Sequence, residues 1–332
     1  VKKIVIVTTG GTIAMTRDPV TGSSVPALRP DRHISHIEQL RTIAKTEHYD
    51  FSNVPSPHMT PEILWRLSTV VDSILQREDV SGVVITHGTD TLEETAYFVD
   101  LTINTPKPVV LTAAMRNIDE LGTDGPRNVV SSVRVAVSDY AQELGTTVCV
   151  NDEIHAAVDV TKTYTSNIAT FESPGSGPLG IIDEESVIIH RRPVFRKTYS
   201  VDCIEQSVAL LKTFVGDTGD LARFLPEKGY KGLVLEAFGS GNVPVPVHDA
   251  VKWLIEKHSM PVIITSRCFK GRVLGTYGYT GGGRSLKNIG AIFAQGLSSQ
   301  KARVKLMVVM GMSKEVSHIS REFRLPARVE NW

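Results

Sequence analysis

The chain has 332 residues, more than one hydrophobic core ordinarily spans, so two domains are expected. Its 36 lysines and arginines balance 36 aspartates and glutamates, which argues against nucleic acid or an anionic membrane as the main partner. Hydrophobic residues at 41% suit a sizeable core, and no run approaches the roughly 20 apolar residues that cross a bilayer.

Val1-Lys2-Lys3 leads straight into Ile4-Val5-Ile6-Val7, an apolar run too short for a signal peptide and read as a buried strand. The first residue is not methionine, so a removed leader stays open beside the cytoplasmic location that three scattered cysteines favour. Cys149, Cys203 and Cys268 show no CxxC spacing and are each expected to act as a small buried hydrophobe.

Strands are expected at Ile4–Thr8, Gly82–Thr86, Pro108–Thr112 and Thr147–Val150, with helices between them. The first helix opens on Thr60-Pro61-Glu62, an N-cap, a proline at the first helical position and an acid in the first turn. It continues through Leu64, Leu67, Val71, Ile74 and Leu75 at helical spacing. A second helix follows Asp90-Thr91 through Leu92, Ala96 and Val99, and a third runs from Pro126 to about Tyr140. The region from Cys149 to Asp159 reads as a hairpin. The alternation predicts a larger N-terminal parallel-sheet α/β domain over residues 1–190. It lapses from about Glu184; residues 191–207 are expected to link to a smaller C-terminal α/β domain over 208–332. There the pattern resumes with strands at Val208–Phe214, Gly232–Glu236 and Pro261–Thr265, and helices near Leu221–Leu225 and over His248–Lys257.

Open α/β sheets bind ligands at the carboxyl ends of their strands. The first strand ends in Thr8-Thr9-Gly10-Gly11-Thr12, where two glycines allow a sharp turn and Thr12 presents a hydroxyl. On its own the run fits a tight turn with Thr12 as a cap at least as well as a nucleophile, and it is neither a Walker loop nor a dinucleotide fingerprint. The strand Val83–Thr86 runs into His87-Gly88-Thr89-Asp90-Thr91 and then directly into a helix, whose free N–H groups suit an anion or oxyanion. Asp90 or Thr91 as a plain helix cap is the competing explanation. Lys162, in Asp159-Val160-Thr161-Lys162-Thr163, matters only if it folds against Thr89 and Asp90; there it would help move a proton from a threonine. His33 and His36 stand at i, i+3 without a third ligand, so no metal or other cofactor is expected.

These runs resemble the signature segments of the bacterial L-asparaginases. Thr9-Gly10-Gly11-Thr12-Ile13-Ala14, the 13 residues from Thr86 to Phe98, and Val160-Thr161-Lys162-Thr163 carry the resemblance. So do Ala113-Ala114-Met115-Arg116, Asp124-Gly125-Pro126, Gly239-Ser240-Gly241-Asn242 and Gln300-Lys301-Ala302-Arg303, in the same order over almost the whole chain. The resemblance implies hydrolysis of L-asparagine to L-aspartate and ammonia, or of a related amide such as glutamine, D-asparagine or an N-substituted asparagine. A catalytically impaired amino-acid-binding protein on the same scaffold is the third reading. It implies Thr12, Thr89, Asp90 and Lys162 as the catalytic set, with Thr12 acylated. Gly11, Ser56, Pro57, Gly88, Thr89, Asp90, Ala113 and Asn242 become substrate contacts, Ser56 toward the carboxylate, Asp90 toward the ammonium and Asn242 from a neighbouring subunit. It also implies a homotetramer, a dimer of dimers with active sites at the intimate interface.

Three departures stand out. The segment Met15–Pro26, a plausible lid, holds no tyrosine to activate the nucleophile, leaving Tyr279 as either a replacement or a structural residue. Pro57-His58 stands where the family commonly has glutamine or glutamate, and Tyr277–Gly283 lacks the acid that a partner subunit would contribute.

Overall fold

The computed structural model describes the chain except residues 12, 14, 18–20, 22, 27–36 and 325–332; of 15–17 and 24–26 it describes the backbone. Thr12, His33 and His36 therefore lie outside the described residues, as does part of the expected lid. The chain divides into two compact units, Val1–Thr198 and Tyr199–Trp332.

The first unit contains β1 (Lys3–Thr8), β2 (Met15–Arg17), β3 (Ser24–Pro26), α1 (Leu40–Ile43) and β4 (Lys45–Asp50). It continues through α2 (Pro61–Leu75), β5 (Gly82–Thr86), α3 (Leu92–Thr102), β6 (Val109–Thr112), α4 (Gly125–Val137) and β7 (Thr146–Val150). Then come β8 (Glu153–Ala156), β9 (Thr161–Lys162), β10 (Phe171–Glu172), β11 (Gly180–Asp183) and β12 (Ser186–Ile189). One eight-stranded sheet runs in the order β12-β11-β8-β7-β6-β5-β1-β4. Pairing from β4 through β7 is parallel. From β7 through β12 it is antiparallel, so the parallel sheet carries an antiparallel arm. The hairpin expected around Cys149–Asp159 is the β7–β8 pair, the start of that arm.

Alternation along β1 shows why the sheet sits between helices. Ile4 and Ile6 pack with Val129, Val133 and Ala136 of α4, whereas Val5 and Val7 pack with Leu67 and Val71 of α2 and Leu92 and Ala96 of α3. All four β1 residues are fully buried, each contributing on the order of 1.5–3 kcal/mol of apolar transfer. α2 begins as expected: the Thr60 hydroxyl accepts from the Ile63 N–H at 3.2 Å, and Pro61 takes the first position.

One strand of this sheet escapes the hydrophobic pattern. β4 reads Lys-Thr-Glu-His-Tyr-Asp and none of its residues is buried; it is an edge strand held by six residues of parallel register with β1. Beside it, Glu47 faces Arg77 at 2.6 Å and Lys3 at 2.6 Å, and Lys3 also reaches Asp79 at 2.7 Å. The Arg77 guanidinium, then Lys3, holds the Glu47 carboxyl down at about 2. β12 lies where the alternation lapses, pairing with β11 across a turn in which Glu184 takes φ 52°. The arginines that follow tie back into the first unit. Arg192 donates to the Gln142 and Tyr140 carbonyls, and Arg196 donates to Asp100 Oδ1 at 2.8 Å and the Ile103 carbonyl at 2.8 Å.

The second unit holds β13 (Val208–Lys212), α5 (Asp220–Arg223), β14 (Gly232–Ala237), α6 (Val245–His258) and β15 (Val262–Ser266). α7 (Gly283–Asn288), β16 (Ile292–Phe293), α8 (Ser299–Met312) and α9 (Val316–Glu322) complete it. Its sheet is parallel, in the order β13-β14-β15-β16. Cys149 is buried as expected, but Cys203 and Cys268 are exposed. Both lie in irregular segments outside the strands, where no apolar face demands a hydrophobe. Among the described residues, no helix is long and apolar enough to cross a membrane.

Candidate active site

Three adjacent strand ends converge. After β1, the Thr9 N–H and hydroxyl both donate to the Thr86 carbonyl at the end of β5, at 3.1 and 3.0 Å. The segment after β4 is tied to the same place, since the Thr9 carbonyl accepts from the Val54 N–H at 3.1 Å and the Ser52 hydroxyl at 2.9 Å. These bonds bring Gly11, Ser56 and Gly88 together. Gly11 has φ 84°, and a Cβ there would stand 2.3 Å from Gly88 Cα. A Cβ on Gly88 would meet Ser56 Cβ and Oγ at 2.6 Å. Both glycines are required by close approach of backbone to backbone and backbone to serine.

The run from His87 to Thr91 joins β5 to α3. His87 is fully buried, with Nδ1 2.8 Å from the Gly88 carbonyl and Nε2 3.0 Å from Thr95 Oγ1. A carbonyl only accepts, so Nδ1 carries the proton and Nε2 accepts from the Thr95 hydroxyl. Burial pushes this imidazole down to about 4, partly offset by the bond to Gly88, so the ring is neutral near pH 7. The peptide is planar and trans, so pinning the Gly88 carbonyl on the ring turns the Thr89 N–H the opposite way.

Lys162 arrives from β9, which pairs with β10 through Lys162 and Phe171. Its ammonium donates to Thr89 Oγ1 at 2.9 Å and to Asp90 Oδ1 at 2.7 Å. Thr89 is buried, the Lys162 side chain is 16% exposed and that of Asp90 is 57% exposed. A pair this open adds well under about 1 kcal/mol to stability. Its effect is positional: it fixes a cation beside a hydroxyl and leaves the outer side of the carboxylate to solvent. Thr91 is the N-cap of α3, yet no side chain caps the helix. The Thr91 hydroxyl donates instead to the Ser56 carbonyl at 2.9 Å, and the Asp90 N–H donates to Ser56 Oγ at 3.3 Å. A side-chain cap worth about 1 kcal/mol is thus forgone.

Ala113 follows β6 beside this junction, the preceding Thr112 carbonyl accepting from the His87 N–H at 2.8 Å. Asn128 Nδ2 donates to the Ala113 carbonyl at 2.9 Å, and the Asp124 carboxylate accepts from the N–H groups of Met115 and Arg116. Pro57 sits within the short 3-10 turn Ser56–His58. Of the anticipated site residues, Gly11, Ser56, Pro57, Gly88, Thr89, Asp90, Ala113 and Lys162 thus share one end of the first sheet. Thr12 lies outside the described residues between Gly11 and Ile13. Asn242 belongs to the second unit, in a turn closed by Phe238, its Oδ1 accepting from the Gly283 N–H at 3.1 Å. Tyr279 is in that unit too, exposed and 5.7 Å from the ring of Tyr277. Thr91 was weighed from sequence only as a helix cap, and His87, Asp124 and Asn128 were not singled out, although His87 and Asp124 lie within the runs that carry the resemblance. No group of three or more metal-ligating side chains occurs among the described residues.

Residues 3–195 match the family model Asparaginase, N-terminal, and residues 207–323 match the Glutaminase/Asparaginase C-terminal domain. The chain belongs to the asparaginase family. This asparaginase-family chain is 33% identical over 314 residues to an L-asparaginase of Bacillus licheniformis, covering 95% of the chain and 97% of that protein. It is 32% identical over 333 residues to a glutamyl-tRNA(Gln) amidotransferase component of Pyrococcus abyssi, covering 96% of the chain and 74% of that protein. The crystal structure of a probable cytoplasmic L-asparaginase from Campylobacter jejuni superposes with a TM-score of 0.86 at 34% identity, over 97% of this chain and 99% of that one. The protein is accordingly an amidohydrolase of the asparaginase type, with the two-domain α/β fold of that family.

Proposed function

We propose that this asparaginase-family enzyme hydrolyses L-asparagine to L-aspartate and ammonia through a threonine acyl-enzyme. The observation that carries the reading is the Lys162 ammonium held against both Thr89 and Asp90, at the end of the sheet where Gly11 leads into Thr12. Thr12 Oγ attacks the side-chain amide carbon, and its proton passes to the departing nitrogen, which leaves as ammonia. The tetrahedral oxyanion is held by backbone N–H groups around Gly11-Thr12 and Gly88-Thr89. Water then adds to the ester carbon while its proton is relayed through the Thr89 hydroxyl, oriented by the Lys162 ammonium, to the ester oxygen of Thr12, which leaves as the free hydroxyl while aspartate is released. The exposed Asp90 carboxylate receives the substrate ammonium, while Ser56 receives the α-carboxylate, flanked by Pro57, Gly88 and Ala113.

The proposal extends to assembly and location. The enzyme acts as a cytoplasmic homotetramer in which Asn242 of a neighbouring subunit completes each site; the Campylobacter relative, itself a probable cytoplasmic enzyme, supports that location. The ring of Pro57 offers no hydrogen bond to the ammonium, which favours tolerance of other amides, so the assay spans several. Steady-state ammonia release is measured from L-asparagine, L-glutamine, D-asparagine and N-substituted asparagines, with Thr12→Ala beside the unaltered chain. Fastest release from L-asparagine, abolished in Thr12→Ala, is the expected result. Aspartate binding without release from any amide would overturn catalysis, and full activity in Thr12→Ala would remove that threonine.

A further inference from the structure

Ser56 stands in a segment poorly equipped to hold itself in place. Pro55 and Pro57 flank it, and neither has an N–H to donate. The turn Ser56–His58 is closed by two main-chain bonds, His58 N–H to the Pro55 carbonyl at 2.9 Å and Met59 N–H to the Ser56 carbonyl at 3.1 Å. The stretch before it is tied to Thr9 through Val54 and Ser52, and the bonds that reach Ser56 itself from outside its own turn come from the start of α3. The Thr91 hydroxyl donates to the Ser56 carbonyl at 2.9 Å, and the Asp90 N–H donates to Ser56 Oγ at 3.3 Å. α3 is a rigid support, since Leu92, Ala96, Phe98 and Val99 are fully buried. Thr91 gives its hydroxyl to this contact while α3 starts without a side-chain cap.

We propose that Thr91 is a positioning residue that fastens Ser56 to the head of α3 and so sets the height at which Ser56 meets the substrate carboxylate. The assignment rests on the asparaginase reading of the site. The Thr91 hydroxyl bonds to Ser56 and not to the Thr89–Lys162–Asp90 cluster. Removing it therefore loosens carboxylate binding and leaves the proton-transfer groups where they are. The Ser56 carbonyl keeps the Met59 N–H, so Thr91→Val, of the same shape, orphans no buried acceptor.

The experiment compares Thr91→Val, Thr91→Ser and Ser56→Ala, singly and with Thr91→Val added to Ser56→Ala. It reads KM and kcat for asparagine, and aspartate Kd by calorimetry. Thr91→Val is expected to raise KM and Kd about tenfold or more while kcat changes less than about threefold, and Thr91→Ser restores both. In the Ser56→Ala background, Thr91→Val adds less than about threefold, because its route to the substrate is already cut. A lowered melting temperature with unchanged KM and Kd would reduce Thr91 to a structural role and overturn the proposal. So would full additivity with Ser56→Ala, or a fall in kcat without a change in KM. Aspartate Kd separates the two readings. Binding by the unaltered chain without ammonia release sinks the asparaginase reading while Kd still tests Thr91. Absence of aspartate binding sinks both.

Discussion

Lys162 crosses 72 positions of sequence to place its Nζ 2.7 Å from Asp90 Oδ1, and the same atom touches Thr89 Oγ1. The ion pair is half open to water, so its loss costs little stability, whereas a proton relay would lose its cation. Lys162→Met is expected to lower kcat by about 10²–10⁴-fold, the range for a displaced acid–base group, with a melting temperature close to the unaltered chain. Ammonia release and thermal denaturation measured together check this; turnover within a few-fold of the original would take Lys162 out of the reaction.

Asp90 presents its outer carboxylate oxygen to solvent while the inner one is held by Lys162. A substrate ammonium docking there makes a charge-assisted bond worth about 1.5–3 kcal/mol. Asp90→Asn should therefore raise KM roughly 10–100-fold. Steady-state kinetics on asparagine tests the point, and an unaltered KM would count against the assigned contact.

Gly88 admits no side chain because Ser56 occupies the space. In Gly88→Ala the new methyl pushes Ser56 away, at a cost of about 1–3 kcal/mol for overpacking and with weaker binding of substrate. Urea denaturation and KM should shift together. A variant of native stability that binds aspartate normally would show that the contact yields without consequence.

His87 provides a pH test. Its folded imidazole is pushed down to about 4 by burial, against an ordinary value of 6.5. The folded state binds fewer protons than the unfolded one between those values, so protonation favours unfolding. Stability is full above about 6.5 and declines as pH falls toward 4, by roughly 3 kcal/mol from this one group. His87→Asn, which has no titrating ring, should flatten that limb. Urea midpoints between pH 4 and 7 decide it; equal acid slopes in both proteins would assign the loss elsewhere.

The readable parts of this chain were those where one interaction dominates. β1 and β5 are continuous apolar runs buried on both faces, and Thr60-Pro61-Glu62 marks a helix start that the Thr60 bond to Ile63 completes. The junction from His87 to Thr91 was legible because a buried strand ends there and a helix with Leu92, Ala96 and Val99 at helical spacing begins. β4 was illegible: its polar residues carry no period, and its pairing with β1 depends on a neighbour distant in sequence. The antiparallel arm was read only as far as its first hairpin, and the exposed Cys203 and Cys268 were misjudged, since neither the pairing of β11 and β12 nor the exposure of a lone thiol is written in local pattern. Lys162 gained meaning only from the fold that carries it to Thr89. Thr91 looked like a cap, and its hydroxyl turned out to be spoken for by Ser56.

The near-touching Gly11 and Gly88 leave this enzyme little freedom to drift. Where two side chains collide, one can shrink to make room for the other; here neither partner has anything left to give up. Any attempt to retune selectivity by directed evolution should hold that pair constant and diversify outward, beginning with Pro57 and His58.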